Sequence, residues 1–192
     1  MRLEDREQVW VMSRAELRDW LNRHAGSSPG IWLITYKKDS GQPFPTYDDI
    51  VEEALCFGWI DSTRRGRDAD TSMLLLTPRK PTSMWSAVNK KRLEHLLPSG
   101  LMTERGLRAI EVAKANGSWT LLDSVDRLEV PDDLAAALAG RPGADEVWES
   151  FPPSAKKQAL WWVISAKRAA TRQRRIDVVA EGAAQGKRGW QG

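Results

Sequence analysis

The first part of the chain alternates between helix-like and strand-like hydrophobic patterns. Ser13 and Glu16 match a capping box, and behind them apolar positions follow at helical spacing: Leu17, Trp20, Leu21 and His24. The next apolar segment, 31–36, is rich in β-branched and aromatic residues at both parities. This pattern predicts a helix followed by a strand that is covered on both faces.

A second helix and two further strands are predicted next. Thr46 and Asp49 form another capping-box pattern, and Gly58 is a natural end for the helix that they start. The segments 59–64 and 71–77 then have the composition of strands, and a charged turn joins them. This order of elements predicts an α+β layer with a small, mainly antiparallel sheet.

The rest of the chain has only helical patterns. The candidate helices are 86–97, 103–115, 131–139, 144–150, 154–166 and 171–183. Turn sequences end the first two of these helices: Pro98-Ser99-Gly100 follows 86–97, and Asn116-Gly117 follows 103–115. We therefore expect an α+β subdomain over 1–80 and a helical subdomain over 81–192.

The composition is that of a folded protein, with 41% hydrophobic and 29% charged residues. Every apolar run is too short for a membrane-spanning helix, and the first residues lack the pattern of a secretory signal, so we expect a cytoplasmic protein. One cysteine rules out an internal disulfide, and two histidines add too few ligands for a zinc cluster. We accordingly expect no metal and no cofactor.

The net charge of +3 conceals two basic zones. Segments 62–92 and 151–192 carry +6 and +7, which leaves −10 for the remaining residues. Such zones are either solvated surface or a site for an anionic partner. One alternative function is therefore nucleic-acid binding by the basic C-terminal helices, through Lys167, Arg168, Arg172, Arg174 and Arg175.

Residues that often act in catalysis lack the partners that catalysis needs. Cys56 falls near the end of a predicted helix, where the helix dipole disfavours a thiolate, and no histidine is close in sequence. His24 and His95 have no second group at ligand or acid–base spacing. The sequence also contains no glycine-rich phosphate loop. It therefore carries no positive signature of an enzyme.

Two stretches with uncommon residue combinations indicate a family. Residues 54–61 read Ala-Leu-Cys-Phe-Gly-Trp-Ile-Asp, and residues 77–89 contain Thr-Pro-Arg followed by Trp-Ser-x-x-Asn. Together with Tyr-Lys-Lys at 36–38 and Arg-Arg-Ile at 174–176, they resemble the YdeI/OmpD-associated family of bacterial proteins, in register from about residue 20 to 179.

The resemblance implies a role in protection against bacteriocins or antimicrobial peptides and an association with an outer-membrane porin, without a shared reaction. Two positions depart from the family pattern. Leu74-Leu75-Leu76 stands where a Gln-Arg pair is usual, and Ser62 stands where glycine is common. Any function that depends on the missing arginine loses its support.

We expect the junction between the two subdomains to form an aromatic cleft that binds a small molecule or an antimicrobial peptide without altering it. Tryptophan walls with a few polar groups are typical of ligand pockets. The candidate ligand-binding residues are Lys38, Cys56, Trp59, Asp61, Arg79, Trp85 and Asn89. Two structural alternatives stay open: Asp61 pairs with a nearby arginine, and 77–89 is only a linker. A third functional alternative is a protein-interaction module with an exposed aromatic patch.

Overall fold

The computed structural model describes residues 5–188. The chain divides into two compact units, 1–120 and 121–192, and each has its own apolar core. The strands are β1 (Glu7–Trp10), β2 (Ile31–Tyr36), β3 (Trp59–Gly66) and β4 (Thr71–Pro78). The helices of the first unit are α1 (Arg14–His24), α2 (Tyr47–Cys56), α3 (Ala87–Leu96) and α4 (Glu104–Asn116).

The strands form one mixed sheet in the order β1-β2-β4-β3. The β2–β4 and β3–β4 pairs are antiparallel, as expected, and β1 adds to β2 in parallel. The α+β fold is thus confirmed, and β1 is the strand that the sequence pattern misses. This strand has four residues, of which only Val9 is buried, so its sequence shows no repeated alternation of apolar and polar positions.

The core of the first unit explains why it extends past residue 80. One face of the sheet carries Ile31, Leu33 and Leu76 into the same apolar cluster as α1 and α2. Leu93 of α3 and Ile110 of α4 belong to that cluster as well. The boundary between the units therefore lies at 120/121 instead of the expected 80/81, because α3 and α4 complete this core.

The helix caps that the sequence predicts at Ser13 and Thr46 are present. The Ser13 hydroxyl accepts a hydrogen bond from the Glu16 backbone N–H, and Thr46 and Asp49 make the reciprocal capping box. Ser86 likewise accepts from the Asn89 N–H at the start of α3. Each helix start is therefore set by a local pairing that the sequence shows directly.

A buried carboxylate ties α1 to α2. Glu53 is 1% exposed, and its two oxygens accept hydrogen bonds from Arg14 Nε at 2.7 Å and Arg18 Nη1 at 2.8 Å. Arg18 Nη2 also donates to the Leu101 carbonyl oxygen at 2.8 Å. The buried charge is therefore matched on both oxygens, and the same arginine fixes the segment before α4.

A glycine allows α4 to lie directly against the end of α2. A Cβ placed on Gly106 would overlap the backbone carbonyl of Cys56. The Thr103 hydroxyl and backbone N–H both donate to that carbonyl oxygen, at 2.7 and 3.0 Å. The start of α4 is thus held against α2 by backbone contact.

The second unit contains five helices within the described residues: α5 (Asp123–Asp126), α6 (Asp132–Ala139), α7 (Ala144–Ser150), α8 (Pro153–Ile164) and α9 (Ala169–Ala184). The short α5 was not predicted. Their core is aliphatic apart from Trp148 and Phe151, which meet edge to face. No helix within residues 5–188 has the length and apolar character needed to cross a membrane.

We predict that Glu53→Gln destabilises the protein by about 1–3 kcal/mol, since the amide can replace only one of the two charged hydrogen bonds that the buried carboxylate accepts. The free energy of unfolding from urea titration measures this. Glu94→Gln, at an exposed position of α3, is the control and should change it by less than about 0.5 kcal/mol. Equal effects of the two substitutions would contradict the structural role of Glu53.

We predict that Gly106→Ala destabilises the protein by about 1–3 kcal/mol despite the better helix propensity of alanine, because the new methyl group meets fixed backbone. Gly66→Ala is the control, since a Cβ there meets no atom within 4 Å. A Gly106→Ala variant as stable as the unsubstituted protein would show that α4 is free to shift.

Candidate functional site

The first unit contains a cavity of about 220 Å³ where β4 ends. Three of the predicted ligand residues, Trp59, Arg79 and Trp85, line it. The remaining wall comes from α4, through Arg105, Arg108, Ala109 and Val112, and from the 57–58 turn. The cavity therefore borders both indoles, and it lies wholly within the first unit.

The other predicted residues are not in this cavity. Lys38 lines a second cavity, and Asp61 accepts a hydrogen bond from the Tyr47 hydroxyl at 2.7 Å. Asn89 takes part in the N-terminal cap of α3. Cys56 is fully buried, and burial raises the pKa of its thiol to about 11, which keeps it protonated at neutral pH. The structure thus brings together three of the seven residues.

Both indoles are held rigidly. Trp59 and Trp85 are each 1% exposed. The Trp59 Nε1–H donates to the Ala25 carbonyl oxygen at 3.3 Å, and its ring meets Trp20 edge to face. The Trp85 ring stacks at a tilt against Trp119, with centroids 5.2 Å apart. The two rings therefore form fixed walls that border the cavity while most of each ring is packed into the core.

Gly58, in the turn between α2 and β3, lets this part of the cavity lining lie directly against α4. Gly58 has φ +70°, a conformation that favours glycine, and a Cβ there would lie 2.8 Å from the Arg105 carbonyl oxygen. The Gly58 carbonyl oxygen accepts from the Arg79 backbone N–H at 2.9 Å. This contact fixes Arg79 at the point where β4 ends.

Arg79 is the most unusual residue of the site. Its guanidinium carbon lies 3.8 Å from the centroid of the Trp85 ring, and Nη1 donates to the Met84 carbonyl oxygen at 3.1 Å. Nε and Nη2 are shielded from solvent and have no hydrogen-bond partner among the described residues. Burial lowers the pKa of Arg79 to about 10, partly offset by the charge of Asp61, so the group remains cationic at neutral pH.

The charge of the cavity is one-sided. Lys80, Arg105 and Arg108 join Arg79 in its lining, and no carboxylate is among the described residues that line it. Arg105 and Arg108 form no ion pair with any residue of the part of the chain that the structure describes. Four cations and no carboxylate in the described lining make this an electropositive hollow, with Asp61 outside the lining as the acidic group that acts on Arg79.

The sequence analysis missed the contribution of α4. Arg105 and Arg108, with Ala109 and Val112, lie three or four residues apart and so share one helix face. The helical periodicity could have grouped them, but it could not have shown that this face lies beside the end of β4.

The basic residues of the second unit are partly engaged within it. Arg172 makes two hydrogen bonds to Asp133, at 2.7 and 2.9 Å. Arg175 donates to the Trp162 carbonyl oxygen at 2.6 Å and lies over that ring. Lys167, Arg168 and Arg174 are exposed, and Arg174 borders a hollow that also contains Asp177 and Glu181. Two of the five predicted nucleic-acid residues, Arg172 and Arg175, are therefore engaged within the unit, and the other three are exposed.

Metal-ligating side chains do not gather in groups of three or more anywhere in residues 5–188. The cavity lining likewise contains no histidine, cysteine, aspartate or glutamate among its described residues. What the arrangement offers is positive charge, flat apolar walls and unused hydrogen-bond donors.

Comparison with known proteins gives two family matches. Residues 127–186 match the model described as Bacteriocin-protection, YdeI or OmpD-Associated. The expected resemblance is confirmed there, but it does not extend over 20–179 as the sequence motifs indicated. Searches of curated proteins and of solved structures give no match. Residues 9–109 match a model described as a domain of unknown function, DUF8412, and because this match spans more than half of the chain, the protein belongs to that family.

Proposed function

We propose that the first unit binds a small organic anion with a flat apolar body in the cavity beside Arg79 and Trp85, and releases it unchanged. The observation that carries the proposal is the buried guanidinium of Arg79, which has two donors without a partner among the described residues. A buried donor without a partner costs about 1–3 kcal/mol, more for a charged group. An anionic ligand in the cavity would balance the charge of this guanidinium, which has no carboxylate among the described lining residues.

The geometry favours a carboxylate or a phosphate. Planar guanidinium groups match two oxygens of either anion, and such charge-assisted pairs are stronger than neutral hydrogen bonds. Lys80, Arg105 and Arg108 add to the attraction without an opposing carboxylate in the described lining. Pro78, Ala109 and Val112 are apolar residues of the lining. The cavity is small, so the ligand has about one ring and one anionic group.

Residues 127–186 match a family described by bacteriocin protection. We therefore propose, as the biological role, that the protein protects by holding a harmful compound.

The first test uses benzoate, phenylacetate and phenyl phosphate, with benzamide and benzyl alcohol as neutral counterparts, in isothermal titration calorimetry. We expect at least one anion to bind more tightly than its neutral counterpart. Arg79→Met should raise the dissociation constant of that anion about 10- to 100-fold, the equivalent of losing a charged hydrogen bond. The dissociation constants of the neutral compounds should stay nearly unchanged.

Lys114→Met is the matched control, because it removes one positive charge from α4 at a residue that lies over Trp119 and outside the cavity lining. It should change anion affinity by less than about threefold, as expected for a screened surface charge. Equal binding of anions and neutral compounds, or equal effects of the two substitutions, would rule out the proposed function.

The second test fills the cavity. Val112→Phe keeps every cation but places a ring in the apolar wall, so we expect it to abolish anion binding with little change in the unfolding temperature, since Val112 is only half-buried. Leu107→Phe, at an exposed position of α4 outside the lining, should bind as the unsubstituted protein does. Unchanged binding by Val112→Phe would show that anions associate with the general basic surface and not with the cavity.

A further inference from the structure

A second cavity of the first unit, of about 240 Å³, lies between the sheet and the first turn of α2. Its lining comes from the end of β2 and the two residues after it, from β3 and β4, and from the start of α2 with the residues before it. It does not share a lining residue with the cavity beside Arg79. The two cavities are therefore separate candidate sites.

The charged residues of this lining are all cations. They are Lys37, Lys38 and Arg64, and no carboxylate is among the described residues that line the cavity. None of the three forms an ion pair within the part of the chain that the structure describes. The Lys37 ammonium group donates to the carbonyl oxygens of Asp68 and Ala69, which are neutral groups and leave its charge in place. The cavity therefore attracts anions.

A β-bulge places Arg64 on the face of the sheet that this cavity borders. Asp61 pairs with Leu76 and Arg64 pairs with Leu74, so a step of three residues along β3 matches a step of two along β4. In a regular ladder, Thr63 would lie opposite Leu74 and Arg64 would point to the other face. The extra residue thus brings a guanidinium to the side that faces α2, as bulges beside functional sites do.

Two buried hydroxyls on the same face have hydrogens to donate. Thr35 and Ser72 pair across β2 and β4, line the cavity and are each 6% exposed. The Thr35 hydroxyl has no hydrogen-bond partner among the described residues. The Ser72 hydroxyl accepts from Arg64 Nη2 at 3.4 Å, which leaves its own hydrogen for another acceptor. Because buried hydroxyls need partners, this pair favours a ligand that carries acceptor atoms.

One acidic group lies near the cavity without lining it. Asp61 accepts a hydrogen bond from the Tyr47 hydroxyl at 2.7 Å. Burial and this hydrogen bond raise the pKa of Tyr47 to about 12, so the phenol keeps its proton at neutral pH. An anion in the cavity therefore meets three cations of the lining, against one carboxylate that already has a donor.

The arrangement of the donors favours a phosphate group over a carboxylate. A carboxylate has two oxygens in one plane, whereas a phosphate group presents at least three strong acceptor oxygens that point in different directions. The donors here come from several sides: Arg64 from β3, the two hydroxyls from β2 and β4, and Lys38 from the segment after β2. Such a set can serve three oxygens at once.

We propose that this second cavity binds a phosphate group, either that of a small phosphate ester or inorganic phosphate, with Arg64 and Lys38 as charged partners and the hydroxyls of Thr35 and Ser72 as donors. Tyr36 and Phe44 of the lining offer aromatic surface to the organic part of an ester. This site is separate from the anion site beside Arg79, so either proposal can fail without the other.

The experiment titrates the full chain with inorganic phosphate, glycerol 2-phosphate and phenyl phosphate at constant ionic strength, with acetate and benzoate as carboxylate comparisons. Chemical-shift changes of backbone amides in two-dimensional NMR give both the dissociation constant and the location of binding. We expect at least one phosphate compound to shift the amides of Thr35, Lys38 and Ser72 at millimolar concentration, and the Arg79→Met variant to respond equally. Tighter binding of an ester than of inorganic phosphate identifies an esterified ligand, and the reverse identifies free phosphate.

Arg64→Met should raise the dissociation constant for phosphate about 10- to 100-fold, the equivalent of losing a charged hydrogen bond. Arg64 is exposed, so this substitution leaves the fold intact. Arg65→Met is the matched control, because it removes the same charge from the next residue of β3, which pairs with Met73 and lies over the Trp32 ring on the opposite face. It should change the dissociation constant by less than about threefold.

Thr35→Val removes a hydroxyl and keeps the shape of the side chain. It should raise the dissociation constant for phosphate about 2- to 10-fold, the usual worth of one neutral hydrogen bond. The unfolding temperature of the ligand-free protein should not fall, because the hydroxyl has no partner among the described residues to lose.

Three results would overturn the proposal. One is that no phosphate compound shifts these amides at tens of millimolar. Another is that acetate or benzoate shifts them as strongly as the phosphates do, which would remove the preference for a phosphate group. The last is that Arg64→Met and Arg65→Met weaken binding equally, which would indicate association with the general basic surface.

Discussion

The first unit depends on one constraint at its candidate site: the Arg79 guanidinium has two nitrogens shielded from solvent and forms no ion pair with a described residue. The backbone hydrogen bond from Arg79 to Gly58 fixes the position of the residue. The Trp85 ring and the Met84 carbonyl oxygen contact its guanidinium group. The buried carboxylate of Glu53 differs from Arg79 in this respect, because each of its oxygens accepts a hydrogen bond from an arginine. The contrast indicates that Arg79 is not built as an internal ion pair.

The two cavities of the first unit arise from one arrangement. Both border the layer between the sheet and its helices, one where β4 ends and one beneath the first turn of α2. Asp61 of β3 interacts with a residue of each: its carboxylate accepts a hydrogen bond from Tyr47, which lines the second cavity, and its charge supports the cationic form of Arg79, which lines the first. The sheet is apolar where it carries the core and polar where a cavity replaces packing.

Local signals predicted the local features well. The caps at Ser13, Thr46 and Ser86 need only neighbouring residues, and the Arg79–Trp85 stretch stood out by composition. Features that depend on contacts between distant parts of the chain could not be predicted from the sequence. The pairing of β1 depends on a partner more than twenty residues away, and Arg105 joined the site only because a glycine lets α4 approach. Cys56 and Asn89 shared the distinctive motifs but serve packing and capping.

The contact of α4 with the end of α2 has a mechanical consequence. At Gly58 and Gly106 the two segments meet through main-chain atoms, with no flexible side chain between them to absorb a displacement. The wall that carries Arg105 and Arg108 is therefore coupled stiffly to the wall that carries Trp59. A ligand held between these two walls would therefore cost the protein little conformational entropy, because folding has already fixed their positions.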